Sequence, residues 1–261
     1  WQNLTGLYPK NGFPISMTES GEKKTNLYFT LANRLGDLGY TATGYHYNQN
    51  MYGRELSHPN LGYNWRQADK CDEPIVKEKR PDGKEYWPQS DDYMIEDSID
   101  DYINSEKPFH VYYLTLSGHL PYGYNSNAMS LKNKDAVANL SYSEKTNSYI
   151  AAGLELEKGM KRLIDELEKA GKADNTLIVM APDHIPYGDV DVIEELAGKS
   201  MGKGNLENLK EQDIDFDVYR NSLVVWSASM KEQFKEPVEV DKVCCQVDVL
   251  PTLLNLLGVE Y

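Results

Sequence analysis

Asn175 to Tyr187 reads NTLIVMAPDHIPY, and the fold turns on this stretch. Leu177 to Ala181 is a largely apolar run with the length and composition of a strand buried on both faces. Pro182 stops the run, and Asp183 and His184 follow at once. In an open α/β sheet, ligands gather in the crevice at the carboxyl ends of the strands. An Asp-His pair there can aim an oxygen and an imidazole nitrogen at one divalent metal ion. The same two residues are also the ordinary form of a turn with a capping Asp and a surface His, so their weight depends on what the other strand ends carry.

Upstream, Ser143 to Ala170 has the period of a long amphipathic helix with Gly171 as its stop. Before it, His110 to Ser117 (HVYYLTLS) reads as a strand that delivers Ser117-Gly118-His119 to its carboxyl end, and Leu120 to Leu140 reads mostly as loop. Asp91 to Asn104 reads as a helix capped by Ser90, with Met94, Ile95, Ile99 and Ile103 on one side. Lys23 to Leu38 carries a helical stripe of Leu27, Leu31, Leu35 and Leu38 before Gly39, and Tyr40 to His46 follows as a strand. Downstream, Asp189 to Asp213 is polar and Gly-rich with a short helix near Val192–Leu196, Asn221 to Ser227 reads as a fourth strand, and Val247 to Gly258 as a helix with Asp248 at its cap. Strands alternate with helices throughout, which predicts an α/β fold: a mainly parallel sheet sandwiched by helices, forming one domain over residues 1–261. Tyr47 to Gln89 shows no clear period, and its aromatics Tyr52, Tyr63, Trp65, Tyr86 and Trp87 read as an ordered surround for a site.

The net charge of -14 argues against a nucleic-acid partner, because no basic patch offsets phosphate repulsion; the one basic run, Lys77 to Lys84, reads as a solvated loop. No apolar run is long enough to span a bilayer and no leader pattern opens the chain. It begins on Trp1 rather than Met and reads as a piece of something longer. Cys71, Cys244 and Cys245 form neither a disulfide framework nor a zinc spacing, and the adjacent pair reads as small buried hydrophobes on a strand.

Three strand ends therefore carry polar chemistry: His46, His119, and Asp183 with His184. Arg54, suited to gripping a phosphate or sulfate in a fork, lies eight residues past His46. Together they point to metal-assisted chemistry on an anionic ester, with a non-catalytic anion or sugar binder as the rival. His58 and His110 read as structural. The bland alternatives are a satisfied strand-end histidine at His46 and a surface ion pair at Arg54.

The segments LGYTATGYHYNQNMYGRE, PFHVYYLTLSGHLPY, DNTLIVMAPDHIPYGD and VDVLPTLLNLLG, in that order, resemble the lipoteichoic acid synthase and phosphoglycerol transferase family of the sulfatase–alkaline phosphatase superfamily. The resemblance runs from Leu4 to Gly258 and implies an alkaline phosphatase/sulfatase-like fold. It implies that Asp183 and His184 ligate a catalytic Mn2+ or Mg2+, with Zn2+ also admissible. It implies that His119 lies near the substrate phosphate and moves a proton, and that Arg54, with Tyr52 where the family often has Trp, holds the headgroup. His46 would stand further out in the same pocket. One departure is Ala181-Pro182, where the family usually has Gly directly before the Asp. A larger one is that the family's Thr nucleophile and a metal-binding Glu would both lie before Trp1, along with a strand inside the sheet. Thr5, Thr18 and Thr25 lack the nucleophile's motif. The chain as given is thus expected to be inert, with two of four metal ligands and an unpaired sheet edge through which it self-associates or takes a partner segment.

The activity implied is transfer of glycerophosphate from phosphatidylglycerol to an envelope polymer or glycan, by a membrane-anchored parent at the extracellular face of the bacterial cytoplasmic membrane. The alternatives are a sulfatase or phosphodiesterase hydrolase, and a non-catalytic module that binds envelope polymer.

Overall fold

The computed structural model describes residues 2–8, 27–48, 52–67, 76–88, 90–186, 188–200 and 219–260. In chain order they form α1 (Gln2–Thr5), α2 (Leu31–Asp37), β1 (Thr41–His46), α3 (Arg54–Asn60), β2 (Asn64–Gln67), α4 (Asp91–Ser98) and β3 (Phe109–Tyr113). Then come α5 (Ala128–Lys132), α6 (Glu144–Lys169), β4 (Ile178–Met180), α7 (Val190–Ala197), β5 (Val224–Trp226), α8 (Met230–Gln233) and α9 (Val249–Leu256). Thr18, Thr25 and Cys71 lie outside the described residues, as does the first part of the helix expected from Lys23.

β1 is the centre of a parallel sheet of order β2-β1-β3, so β1 and β3 leave toward the same edge. β4 pairs with β5 in a separate ladder, and that ladder is antiparallel. The α/β fold with a mainly parallel sheet is present, but the fourth expected strand runs against its neighbour. Alternation of helix and strand could not show this, because the connection from β4 to β5 runs through residues with no clear period.

The segment after β1 also differs from expectation. Arg54 does not sit in a loop: it opens α3, which contains His58, and β2 follows within four residues. Pro59 and a polar sequence masked this helix–strand unit, which is held by rings instead. Gly44 lets Trp65 lie flat on β1, since a Cβ at Gly44 would stand 2.6 Å from the Trp65 ring. Trp65 in turn stacks on His58 with centroids 4.0 Å apart.

The main core joins β1, α4, α6 and β4 through Tyr45, Met94, Ile95, Ile99, Leu163, Leu167 and Ile178, with Phe109, Val111 and Tyr113 of β3 packed against it. A second cluster packs α2 on α9 through Leu31, Leu35, Leu250 and Leu254. β4 was expected to be buried throughout, yet only Ile178 is; Met180 is exposed. Cys244 and Cys245 are both exposed and outside any strand, which corrects the reading of them as buried hydrophobes. Among the described residues no helix is long and apolar enough to cross a membrane.

Candidate active site

Three strand ends converge. His119, reached from β3, and His184, reached from β4, meet edge to face with ring centroids 6.3 Å apart. Asp183 stands beside His184 and is close enough to Arg54, Tyr112 and Tyr122 for its charge to act on each of them. Of the expected residues, His119, Asp183, His184 and Arg54 are thus gathered at one edge.

His119 is placed by a shell of polar contacts. Its Nδ1 donates to the Leu120 carbonyl at 2.6 Å, a bond that leaves Nε2 unengaged by it. Its own carbonyl accepts from Asn127 Nδ2 at 2.9 Å, and the Gly118 carbonyl accepts from the Tyr122 hydroxyl at 3.0 Å. Trp87 meets the ring edge-on with centroids 5.1 Å apart, and its Nε1 donates to Asn48 Oδ1 at 3.2 Å. Of these partners, only Trp87 was signalled by the sequence, as one of the aromatics of an irregular segment. Asn48, Asn127 and Tyr122 carry no local pattern that distinguishes them from loop residues.

His46 differs from expectation. It is 1% exposed, its Nδ1 donates to the Leu114 carbonyl at 2.9 Å, and its Nε2 accepts from Arg54 Nη1 at 3.2 Å. Burial drives its imidazole down to about 4, so it is a neutral acceptor at pH 7. It lies beneath the guanidinium as a support and does not face the crevice. Arg54 also stands over the Tyr52 ring, 5.2 Å from its centroid. Tyr52 reaches that position from a left-handed backbone, φ 60°, followed by Gly53 at φ 60°. Such a conformation costs a bulky residue about 1–2 kcal/mol, and strain of this kind tends to be kept where a side chain must be aimed. Burial lowers the Arg54 pKa while Tyr112, Tyr52 and Asp183 act against it, and the group stays charged. No carboxylate lies within ion-pair distance of it among the described residues.

His58 and His110 are structural, as expected. His58 is buried between Trp65 and Tyr112, and His110 Nε2 is 2.9 Å from the Tyr63 hydroxyl.

Asp183 and His184 present one oxygen and one nitrogen donor side by side. Asp183 Oδ2 and His184 Nε2 are 3.7 Å apart, near the ~3.4 Å expected across a tetrahedral ion bound ~2.1 Å from each. His184 Nδ1 donates to the Ile185 carbonyl at 2.8 Å, the kind of bond that would turn Nε2 toward an ion. Among the described residues no group of three or more His, Cys, Asp or Glu is arranged to hold a metal. The pair fits two corners of a metal site.

A family description, Sulfatase, matches residues 2–259. The chain belongs to the sulfatase family. Among curated relatives it is 24% identical over 258 residues to the lipoteichoic acid synthase-like YvgJ of Bacillus subtilis, covering 97% of this chain and 38% of that protein. Its fold is that of the lipoteichoic acid synthase LtaP from Listeria monocytogenes, with TM-score 0.66 and 18% identity, over 100% of this chain and 59% of that one. The C-terminal periplasmic domain of EcEptC from Escherichia coli, solved in complex with Zn, is also similar, with TM-score 0.54 and 17% identity, over 89% and 62% of the two chains. This sulfatase-family chain spans about a third of the length of the curated relatives it matches, with shares of 38%, 32% and 24%.

Proposed function

We propose that this chain is part of a metal-dependent phosphoglycerol transferase that moves glycerophosphate from phosphatidylglycerol to an envelope polymer or glycan at the outer face of the bacterial cytoplasmic membrane. The observation that carries the reading is the convergence of His119, the Asp183–His184 pair and an aromatic-backed Arg54 at one sheet edge. The similarity to lipoteichoic acid synthases supports it.

Arg54 binds the phosphodiester, with its planar donors matched to two phosphate oxygens. His46 and the Tyr52 ring hold the guanidinium in place. His119 Nε2 gives its proton to the leaving diacylglycerol oxygen and later takes one from the acceptor hydroxyl. Asp183 and His184 would hold the divalent ion, which when bound neutralises charge on the phosphoryl oxygens and lowers the pKa of the attacking hydroxyl. The nucleophilic Thr, a further acidic ligand and the strand that carries it are assigned to sequence before Trp1.

The test uses the longer protein, incubated with phosphatidylglycerol vesicles and Mn2+, with diacylglycerol release as the readout. The expected result is metal-dependent release, lost at least a hundredfold in Asp183→Ala and His119→Ala. Calorimetry with Mn2+ alone checks that Asp183→Ala and His184→Ala lose the ion while Arg54→Ala keeps it. Turnover of an aryl sulfate or a simple phosphodiester in place of lipid release would move the protein to a hydrolase, the second reading that the sulfatase family match favours. Silence on all three substrates would leave a polymer-binding module.

A further inference from the structure

Asp91 is a buried carboxylate that the reading above does not use. It is the first residue of α4, a position where an acid normally faces water near the helix N-terminus. Here it is 2% exposed, and the cap is supplied by its neighbour: Ser90 Oγ accepts from the Tyr93 amide at 3.0 Å. Both oxygens of Asp91 are given to the chain that leaves β3. Oδ1 accepts from the Leu116 amide at 2.8 Å, and Oδ2 accepts from the Ser117 amide at 3.0 Å and from the Ser117 hydroxyl. These amides lie beyond the last residue of β3 and have no ladder partner there, so a buried acceptor must satisfy them. The His119 amide in turn donates to the Leu116 carbonyl at 2.9 Å, which closes the turn.

The surroundings fix Asp91 against the core. A Cβ at Gly159 on α6 would stand 3.3 Å from the Asp91 carbonyl and 3.2 Å from Asp92 Cα, so α4 begins in close contact with α6. The charged groups around it are Glu155 on α6, Asp92 on its own helix with Arg162 at 2.7 Å, and Lys132 on α5, whose Nζ is 2.6 Å from Glu155. Glu155 is itself fully buried and bound by Ser90 Oγ and Asn133 Nδ2. Burial raises the Asp91 carboxyl to about 6, Glu155 pushes the same way, and the Ser117 and Leu116 bonds pull it back. At neutral pH it is therefore an acceptor at both oxygens, as three donors require.

We propose that Asp91 is the positioning residue of this site: its carboxylate clamps the Leu116–Ser117 turn and so sets where His119 stands relative to His184 and Asp183. It touches neither substrate nor metal and acts through the backbone. The proposal rests on His119 being the proton-transfer group, as read above.

Two variants and two readouts test it. In Asp91→Asn, one oxygen becomes an NH2 group facing N–H donors, whereas Ser117→Ala deletes one donor and leaves both amide bonds. In this chain, 15N NMR is expected to show amide exchange at Leu116 and Ser117 accelerated at least tenfold in Asp91→Asn, with shifted His119 ring nitrogens. Ser117→Ala should show a smaller change in the same direction. In the longer protein, Asp91→Asn should lower kcat ten- to a hundredfold with KM nearly unchanged, the scale of loss when a reacting group is misplaced by about 1 Å. In a His119→Ala background it should cost nothing further. Unchanged exchange and ring shifts in Asp91→Asn, or an equal loss with and without His119, would overturn the proposal. If Asp91→Asn does not fold, Ser117→Ala decides: unchanged exchange there overturns it. If the longer protein releases no diacylglycerol at all, the functional reading fails and the NMR comparison still decides the role of Asp91.

Discussion

Three imidazoles in this chain are held neutral by their surroundings. Burial pushes His46 to about 4, His58 to about 3 and His110 to about 4, whereas an unfolded imidazole titrates near 6.5. Between pH 6.5 and 4 the unfolded chain takes up protons that the folded chain refuses. The stability these groups provide is complete above pH 6.5 and is lost as the pH falls. Asp91 works in the opposite sense: with its carboxyl raised to about 6, the folded chain is the one that binds the extra proton between about pH 4 and 6. Three groups outweigh one. Stability should drop on acidification by on the order of 2 kcal/mol per histidine at pH 5. Urea midpoints at pH 7.5 and 5 check this, and a midpoint that held or rose at pH 5 would refute it. His46 has a second role in the same experiment. His46→Ala removes the acceptor under Arg54 and the donor to Leu114, so it should lose about 1–3 kcal/mol at pH 7.5 and flatten the pH dependence.

At the scale of elements, α4 and α6 are fitted to each other at one glycine. Gly159→Ala would bring a Cβ to 2.9 Å from Ile95 Cδ1 and 3.2 Å from Asp92 Cα. Overpacking of this kind costs about 1–3 kcal/mol, and the better helix propensity of Ala returns up to about 1. A net loss of about 1–2 kcal/mol in urea unfolding is expected, and equal or greater stability would show that the helices separate freely. Several elements were legible because their signal is local. α6 shows its period over 26 residues, with Ser143 at one end and Gly171 in the left-handed conformation at the other. α3 and β2 were not legible, because their stability comes from rings stacked between elements: Trp65 on His58, Tyr112 beyond them, and the bare Cα of Gly44 beneath. No window of sequence contains those contacts.

At the scale of the molecule, β3 and β4 pack into one apolar cluster, yet among the described residues no ladder joins them. Every residue of β3 is only half-buried, unlike a parallel strand with covered faces and paired edges. We expect this edge to take another strand, and a second copy of this chain can supply one. Light scattering after size exclusion should show association that grows with concentration. It should also strengthen with added salt, because a net charge of -14 opposes contact between copies. A monodisperse monomer at all salt concentrations would count against it.

The sequence by itself determined the α/β class and showed which strand ends carry His46, His119, Asp183 and His184, with Arg54 eight residues past the first. Strand hydrophobicity, glycine stops and the side chain that follows a strand are all properties of neighbours in the chain. Only the tertiary structure decided which of these residues face the crevice and which hold the others up. It turned His46 inward under Arg54, set β5 against β4, exposed the Cys244–Cys245 pair, and spent both oxygens of Asp91 on the turn before His119. The places of His46 and Asp91 depend on burial and on partners 8 to 68 residues away in the chain, distances over which sequence pattern carries no phase.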